Sequence, residues 1–82
     1  MTNIEILNSL EVTEWSASSG VLEYLYVLKT PETVEKLLQL GMSQADIDHN
    51  TDNEENEVNI GNHAFVLTDA NWYDGEKFSK RD

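Results

Sequence analysis

Residues 10–41, LEVTEWSASSGVLEYLYVLKTPETVEKLLQLG, contain the clearest secondary-structure pattern of the chain. Residues 10–15 and 21–28 are rich in β-branched, aromatic and aliphatic side chains, and Ser18-Ser19-Gly20 separates them. Two such runs joined by a Ser-Gly turn predict a β-hairpin. A two-residue Ser19-Gly20 turn would fix the register, with Trp15 opposite Tyr24, Thr13 opposite Tyr26 and Val12 opposite Val27.

An amphipathic helix is predicted directly after this hairpin. Thr30 is a good N-cap, Pro31 suits the first helical position, and Glu32 favours the positive end of the helix dipole. Gly41 ends the helix. The apolar stripe that would face a core consists of Val34, Leu37 and Leu38, and Met42 can extend it.

Two shorter segments also carry helix signals. Residues 2–10 are open to two interpretations, because Thr2 can cap a short helix with Ile4, Leu7 and Leu10 on one side, or the segment can lead directly into a strand. After the main helix, Ser43 can cap a further short turn that runs through Ile47.

The second half of the chain predicts one loop and a second hairpin. Residues 48–57, DHNTDNEENE, contain no apolar side chain and predict a solvated loop. Residues 57–67 read as a hairpin around Gly61-Asn62, in which Val58 would pair with Phe65 and Ile60 with His63. Residues 69–78 predict an irregular last strand or an ordered loop, and residues 79–82 are expected to fray.

These segments predict an α+β fold in the order β-β-α-β-β. The expected architecture is a small antiparallel sheet of about four strands, made of two hairpins, with one main amphipathic helix packed on one face. A chain of 82 residues has the length of a single domain, so residues 1–82 are expected to form one small acidic domain.

The charge of the chain is strongly one-sided. Its formal net charge is −11, whereas solubility of a small domain needs only about 2–8. Direct binding to nucleic acid or to an anionic membrane is disfavoured, because phosphates would meet carboxylates. With no cysteine, no disulfide framework, no signal-peptide pattern and no long apolar run, the expected location is cytoplasmic, the host cytoplasm if the chain is encoded by a phage.

The acidic residues concentrate in the second half of the chain. No Lys or Arg lies between Lys36 and Lys77, and six carboxylates fall within residues 46–57. Trp72 and Tyr73 lie close to further carboxylates and could contact Arg or Lys through cation–π interactions and charge-assisted hydrogen bonds. The predicted partner-binding residues are Asp46, Asp48, Asp52, Glu54, Glu55, Glu57, Asp69, Trp72, Tyr73, Asp74 and Glu76.

The spacing within residues 46–57 also resembles a calcium-binding EF-hand loop. With Asp46 as the first position, oxygen-bearing side chains occupy positions 1, 3, 5, 7, 9 and 12. Thr51 stands where that loop has glycine, and Asn53 stands where it has an apolar residue. The resemblance implies an alternative calcium site at Asp46, Asp48, Asn50, Asp52 and Glu57; the other interpretation is a solvated or partner-facing acidic loop without a metal.

Nothing in the sequence indicates catalysis. The chain has no nucleophile elbow and no phosphate-binding glycine motif. His49 is expected in a loop and His63 at a strand end, rather than as general bases. We therefore expect no enzyme activity and no cofactor.

The composition favours a protein-binding inhibitor or modulator, of the type encoded by phages and mobile elements. Its acidic surface would dock on a basic, nucleic-acid-binding site of a target protein and would act as a DNA mimic in the electrostatic sense. Nucleases and restriction or CRISPR systems are the classes of target that such a protein would block. Two alternatives stay open: a calcium-responsive module that uses residues 46–57, and a structural or assembly protein whose charge keeps it in solution.

Overall fold

The computed structural model describes residues 2–18, 21–61 and 72–80. Within these ranges the helices are α1 (Asn3–Asn8), α2 (Pro31–Gln39) and α3 (Gln44–His49). The strands are β1 (Val12–Ser18), β2 (Val21–Leu28), β3 (Thr51–Asp52), β4 (Glu57–Asn59), β5 (Trp72–Tyr73) and β6 (Phe78–Ser79). None of the helices in the described ranges has the length and apolar character needed to cross a membrane.

The α+β fold predicted from the sequence is confirmed. Four strands form an antiparallel sheet in the order β1-β2-β4-β3, and β5 pairs with β6 in a separate two-stranded ribbon. The three helices and the ribbon contribute to one apolar cluster with the sheet. Its buried members are Ile6, Leu7, Leu10, Leu22, Leu25, Val27, Leu37, Leu40, Met42, Ile47, Val58, Ile60, Tyr73 and Phe78.

The first residues form a helix, which decides between the two interpretations of residues 2–10. The Thr2 hydroxyl accepts a hydrogen bond from Glu5 N (3.2 Å), and Thr2 N donates to Glu5 Oε1 (3.0 Å). This reciprocal capping box satisfies donors at the start of α1 that have no partner within the helix. Leu7 and Leu10 are buried as predicted, whereas Ile4 is only half-buried.

The β1–β2 hairpin is confirmed, but the predicted register is wrong in its centre. Val12 lies opposite Val27 as expected, whereas Trp15 lies opposite Leu25 instead of Tyr24. The register shifts by one residue between Ser16 and Ala17 and shifts back between Val12 and Glu14. A pair of compensating bulges leaves no trace in the hydrophobic pattern, because each adds a single residue to one strand.

The register shift also changes which β1 residue lies opposite Tyr26. Glu14 lies opposite Tyr26, in the place that the sequence assigned to Thr13. The Thr13 hydroxyl instead donates to the Tyr26 carbonyl oxygen at 3.3 Å. The predicted turn at residues 19–20 lies outside the described residues.

The main helix begins where the sequence predicts. The Thr30 hydroxyl accepts from Thr33 N at 3.1 Å, and Pro31 occupies the first turn. Gly41 follows the helix with φ of 108°, a conformation in which glycine is free of the strain that a Cβ would add. One member of the predicted apolar stripe is wrong, since Leu38 is 44% exposed while Leu40 is buried.

The predicted solvated loop at residues 48–57 is wrong, because most of this segment is helix and hairpin. The final turn of α3 extends to His49, and β3 and β4 form a hairpin around residues 53–56. Asn56 closes the turn with φ of 57°, a left-handed conformation that Asn tolerates.

The second predicted hairpin differs from the observed sheet. Val58 has Val27 on one side and Thr51 on the other. The predicted partners Phe65 and His63 lie outside the described residues. Gly61 instead approaches β2 closely, since a Cβ on it would lie 2.9 Å from the backbone of Tyr24 and Leu25.

Candidate protein-docking surface

The acidic residues 46–57 are brought together at the β3 edge of the sheet. The segment contributes α3, the β3–β4 hairpin and its turn, and β3 is an edge strand among the described residues. Burial of Ile47 and Val58 fixes the helix and the hairpin against the core. Most of the carboxylates between these two anchors face solvent, so one edge of the sheet carries a concentrated negative charge.

Two of these carboxylates belong to the hydrogen bonds of α3. Asp46 completes a capping box: Asp46 N donates to Ser43 Oγ (3.1 Å), and Ser43 N donates to Asp46 Oδ2 (3.3 Å). One turn on, the Gln44 side-chain amide donates to Asp48 Oδ1 at 3.1 Å. Both acidic side chains are therefore held in defined positions on an exposed helix.

Asp52 organises the hairpin turn that follows. Its Oδ1 accepts from Glu54 N at 3.0 Å and from Glu55 N at 3.3 Å. The Asn56 side chain donates to the Lys29 carbonyl oxygen (3.0 Å), and Lys29 N donates to the Asn56 carbonyl oxygen (2.8 Å). These hydrogen bonds hold the turn against the end of β2, and Glu54 and Glu55 are exposed on the turn.

The arrangement of these residues differs from a calcium-binding loop. Asp46 and Asp48 lie on α3, two positions apart, and residues at that spacing do not face each other on a helix. The Asn50 side chain donates to the Asp46 carbonyl oxygen (2.8 Å), and Asp52 Oδ1 accepts hydrogen bonds from two backbone amides of the turn. Glu57 lies in β4. Among the described residues, no group of three or more His, Asp or Glu side chains is placed to hold a metal ion. The alternative calcium site stays a prediction.

Trp72 and Tyr73 occupy different environments in the β5–β6 ribbon. Tyr73 is only 8% exposed, and its ring contacts Trp15 edge-to-face (centroids 5.3 Å apart) and Phe78 (4.8 Å). Burial, with smaller contributions from Asp74 and a neighbouring glutamate, raises the pKa of the Tyr73 hydroxyl. Tyr73 is a core residue, so its ring is not available as the predicted partner contact, whereas Trp72 is half-buried.

Asp74 and Glu76 lie in the tight turn of the ribbon. Asp74 Oδ1 accepts from Lys77 N and Glu76 N, each at 2.9 Å, and these backbone hydrogen bonds lower the pKa of the Asp74 carboxyl. Gly75 has φ of 95° and borders the Trp15 ring, which a Cβ on Gly75 would meet at 3.6 Å. The turn is exposed, with one cation among its two carboxylates.

The predicted partner-binding residues therefore form two groups instead of one. Residues 46–57 lie toward the β3 edge, whereas the ribbon packs against Trp15 of β1, the strand at the other edge of the described sheet. Asp69 lies outside the described residues, as does His63; His49 is exposed at the end of α3.

Several aromatic residues that the sequence did not suggest as contacts are accessible. Trp15, expected to pack, keeps 37% of its surface exposed. Tyr24 and Tyr26 are half-buried neighbours on one face of β2, with ring centroids 5.7 Å apart. The run VLEYLYVL favours a central strand covered on at least one side, and the partial exposure of its tyrosines is evident only from the structure.

Comparisons with protein-family models, with curated proteins and with solved structures find no match to this chain.

Proposed function

We propose that this chain is a protein-binding inhibitor or modulator whose acidic β3 edge docks on the basic, nucleic-acid-binding site of a target protein. The observation that carries the proposal is the fixed placement of carboxylates along residues 46–57. Asp46, Asp48 and Asp52 each accept hydrogen bonds from groups within one helix or turn. A charge that is already positioned loses less conformational entropy on binding than one on a mobile side chain.

The sign and density of the charge indicate the class of partner. Carboxylates fixed on a small scaffold present acceptor oxygens to Lys and Arg side chains, as phosphates do in DNA. Such a surface increases the association rate with a basic protein by about 10- to 1,000-fold at low salt. The chain would then compete with nucleic acid for the same basic site, which is the behaviour of a DNA mimic.

The test pairs target identification with a competition assay. The chain is immobilised, the basic proteins that it retains at low salt from its native host are identified by mass spectrometry, and each is purified. DNA or RNA binding by the purified target is then measured with increasing amounts of the chain. We expect the chain to displace the nucleic acid, and the displacement to weaken as salt rises.

A matched pair of double variants separates a local surface from total charge. Glu54→Gln with Glu55→Gln neutralises two exposed carboxylates of the β3–β4 turn, and Glu32→Gln with Glu35→Gln neutralises two exposed carboxylates of α2. We expect the turn variant to lose about two- to thirtyfold more competition than the α2 variant, because each exposed ion pair contributes about 0.2–1 kcal/mol. Equal losses, or a target that binds chain and nucleic acid together, would contradict the proposal.

A further inference from the structure

The outer face of the sheet is the side that points away from the helices. Leu25, Val27 and Val58 are fully buried in the cluster that contains the helices. Because side chains alternate along a strand, the residues between them point to the other side. We call this side the outer face; its members are Glu14, Ser16, Tyr24, Tyr26, Leu28, Asp52, Glu57 and Asn59.

We propose that the outer face binds arginine side chains of the target protein, with Tyr26 at its centre. The inference rests on the proposed function and extends its docking surface from the β3 edge onto the outer face. The partner is a segment of a basic protein that carries arginine, as expected for a chain with a net charge of −11.

Pairing across the strands surrounds Tyr26 with acidic and polar groups. Glu14 lies directly opposite Tyr26 on β1, and Asn59 lies opposite it on β4. Directly opposed residues have Cβ atoms about 4.5–5.5 Å apart, and diagonal neighbours are about 7–8 Å apart. Glu57 is such a diagonal neighbour, because its own partner on β2 is Leu28. Carboxylates therefore flank the tyrosine on two sides.

The aromatic centre is held in place and keeps an accessible part. The Tyr24 and Tyr26 rings meet at an interplanar angle of 61°, and both residues are half-buried. Asn59 is fixed on the β4 side, since its Oδ1 accepts from Leu25 N (3.3 Å) and Gly61 N (3.1 Å). A surface of this kind needs little reorganisation before it binds.

Arginine fits this arrangement better than lysine. A planar guanidinium can lie on the face of a tyrosine ring while its N–H groups donate to a carboxylate beside the ring. Both Glu57 and Asp52 also belong to the acidic β3–β4 hairpin, so the outer face continues into the β3 edge. The register shift in β1 places Glu14 next to Tyr26, and the hydroxyl residue Thr13 would stand there without it.

The experiment uses a nine-residue arginine peptide and a nine-residue lysine peptide as probes. Each peptide is added to the whole chain at low salt, and the changes in backbone amide chemical shift are recorded by NMR. We expect the largest shifts at Glu14, Tyr26 and Asn59, and tighter binding of the arginine peptide. In Tyr26→Leu we expect its affinity to fall by about two- to fivefold, the range of an exposed cation–π contact. Tyr26→Phe keeps the aromatic face and should bind as the unmodified chain does.

A matched charge pair completes the test. Glu14→Gln should weaken binding more than Glu35→Gln does. The second variant removes the same charge at an exposed position of α2. This inference would be overturned if the shifts were confined to residues 46–51 and 53–56, outside the outer face, and the two variants had equal effects. The proposed function would then still stand. If neither peptide binds at low salt, both fail. If Tyr26→Leu does not fold, the chemical-shift changes of the unmodified chain still show whether the peptide binds to the outer face.

Discussion

Replacing Tyr73 with alanine tests whether this residue is part of the core or a partner contact. Its side chain is 8% exposed and contacts the rings of Trp15 and Phe78. Truncation of a buried aromatic side chain to alanine costs about 3–5 kcal/mol, and the residual exposure of Tyr73 places it near the lower value of about 3 kcal/mol. For a domain of 60–100 residues, each kcal/mol lowers Tm by about 4–8 °C, so Tm should fall by about 12–24 °C.

The control is Trp72→Ala in the same strand, where the side chain is half-buried. We expect Trp72→Ala to lower Tm by less than half as much as Tyr73→Ala does, because less apolar surface is removed from the core. Thermal unfolding followed by far-UV circular dichroism serves both variants, since it does not depend on the tryptophan that is removed. A Tyr73→Ala variant that loses less than about 4 °C in Tm would refute the placement of this ring in the core.

Three further outcomes can be measured on the isolated chain. Raising sodium chloride from low salt to about 0.5 M should raise Tm, because it screens repulsion among the carboxylates; a Tm that falls contradicts this reasoning. Backbone hydrogen bonds lower the carboxyl pKa of Glu5 from 4.5 and of Asp74 from 3.8. The stabilisation by these two ionised carboxylates is complete above their ordinary pKa values and is lost as pH falls through the lower pKa of the folded state. The stability of Asp74→Asn should therefore depend less steeply on pH in the acid range than that of the unmodified chain. Identical acid unfolding curves would contradict this prediction. Gly61→Ala should destabilise by about 1–3 kcal/mol in urea unfolding, because its Cβ would meet the β2 backbone at 2.9 Å, and a neutral effect would place Gly61 elsewhere.

Local signals in the sequence predict α2, the short turn after Ser43 and the first hairpin, because the groups involved are close in the chain. For α1 the same kind of signal left a helix and a strand both open. Thr30 accepts from the amide three residues ahead, as its identity and the following proline suggest. Thr2 and Ser43 form capping boxes with the acidic residues three positions later. These contacts need no information from distant segments, and the helix starts follow from them.

The features that the sequence did not predict depend on contacts between distant segments. The β3–β4 hairpin lies in a stretch without apolar residues except at its end, and hydrogen bonds between Asn56 and Lys29 fasten its turn to β2. The two register shifts add one residue to β1 and one to β2, and they depend on how the strands pair across their whole length. The position of Trp15 opposite Leu25 could therefore not be predicted from alternation alone. The burial of Tyr73 likewise requires Trp15 to lie on the inner side of the sheet.

The hydrogen bonds of the acidic residues change how their charge should be interpreted. Net charge counts all carboxylates equally, but Asp46 and Asp52 also satisfy backbone amides at a helix start and a hairpin turn. Neutralising either one would remove structure and charge together, and lost binding would then carry no information about docking. Glu54 and Glu55 are exposed on the same turn and contribute backbone amides to it, so their side chains can be changed with the turn intact. A binding defect in that pair, with unchanged Tm, therefore reports on the electrostatic surface itself.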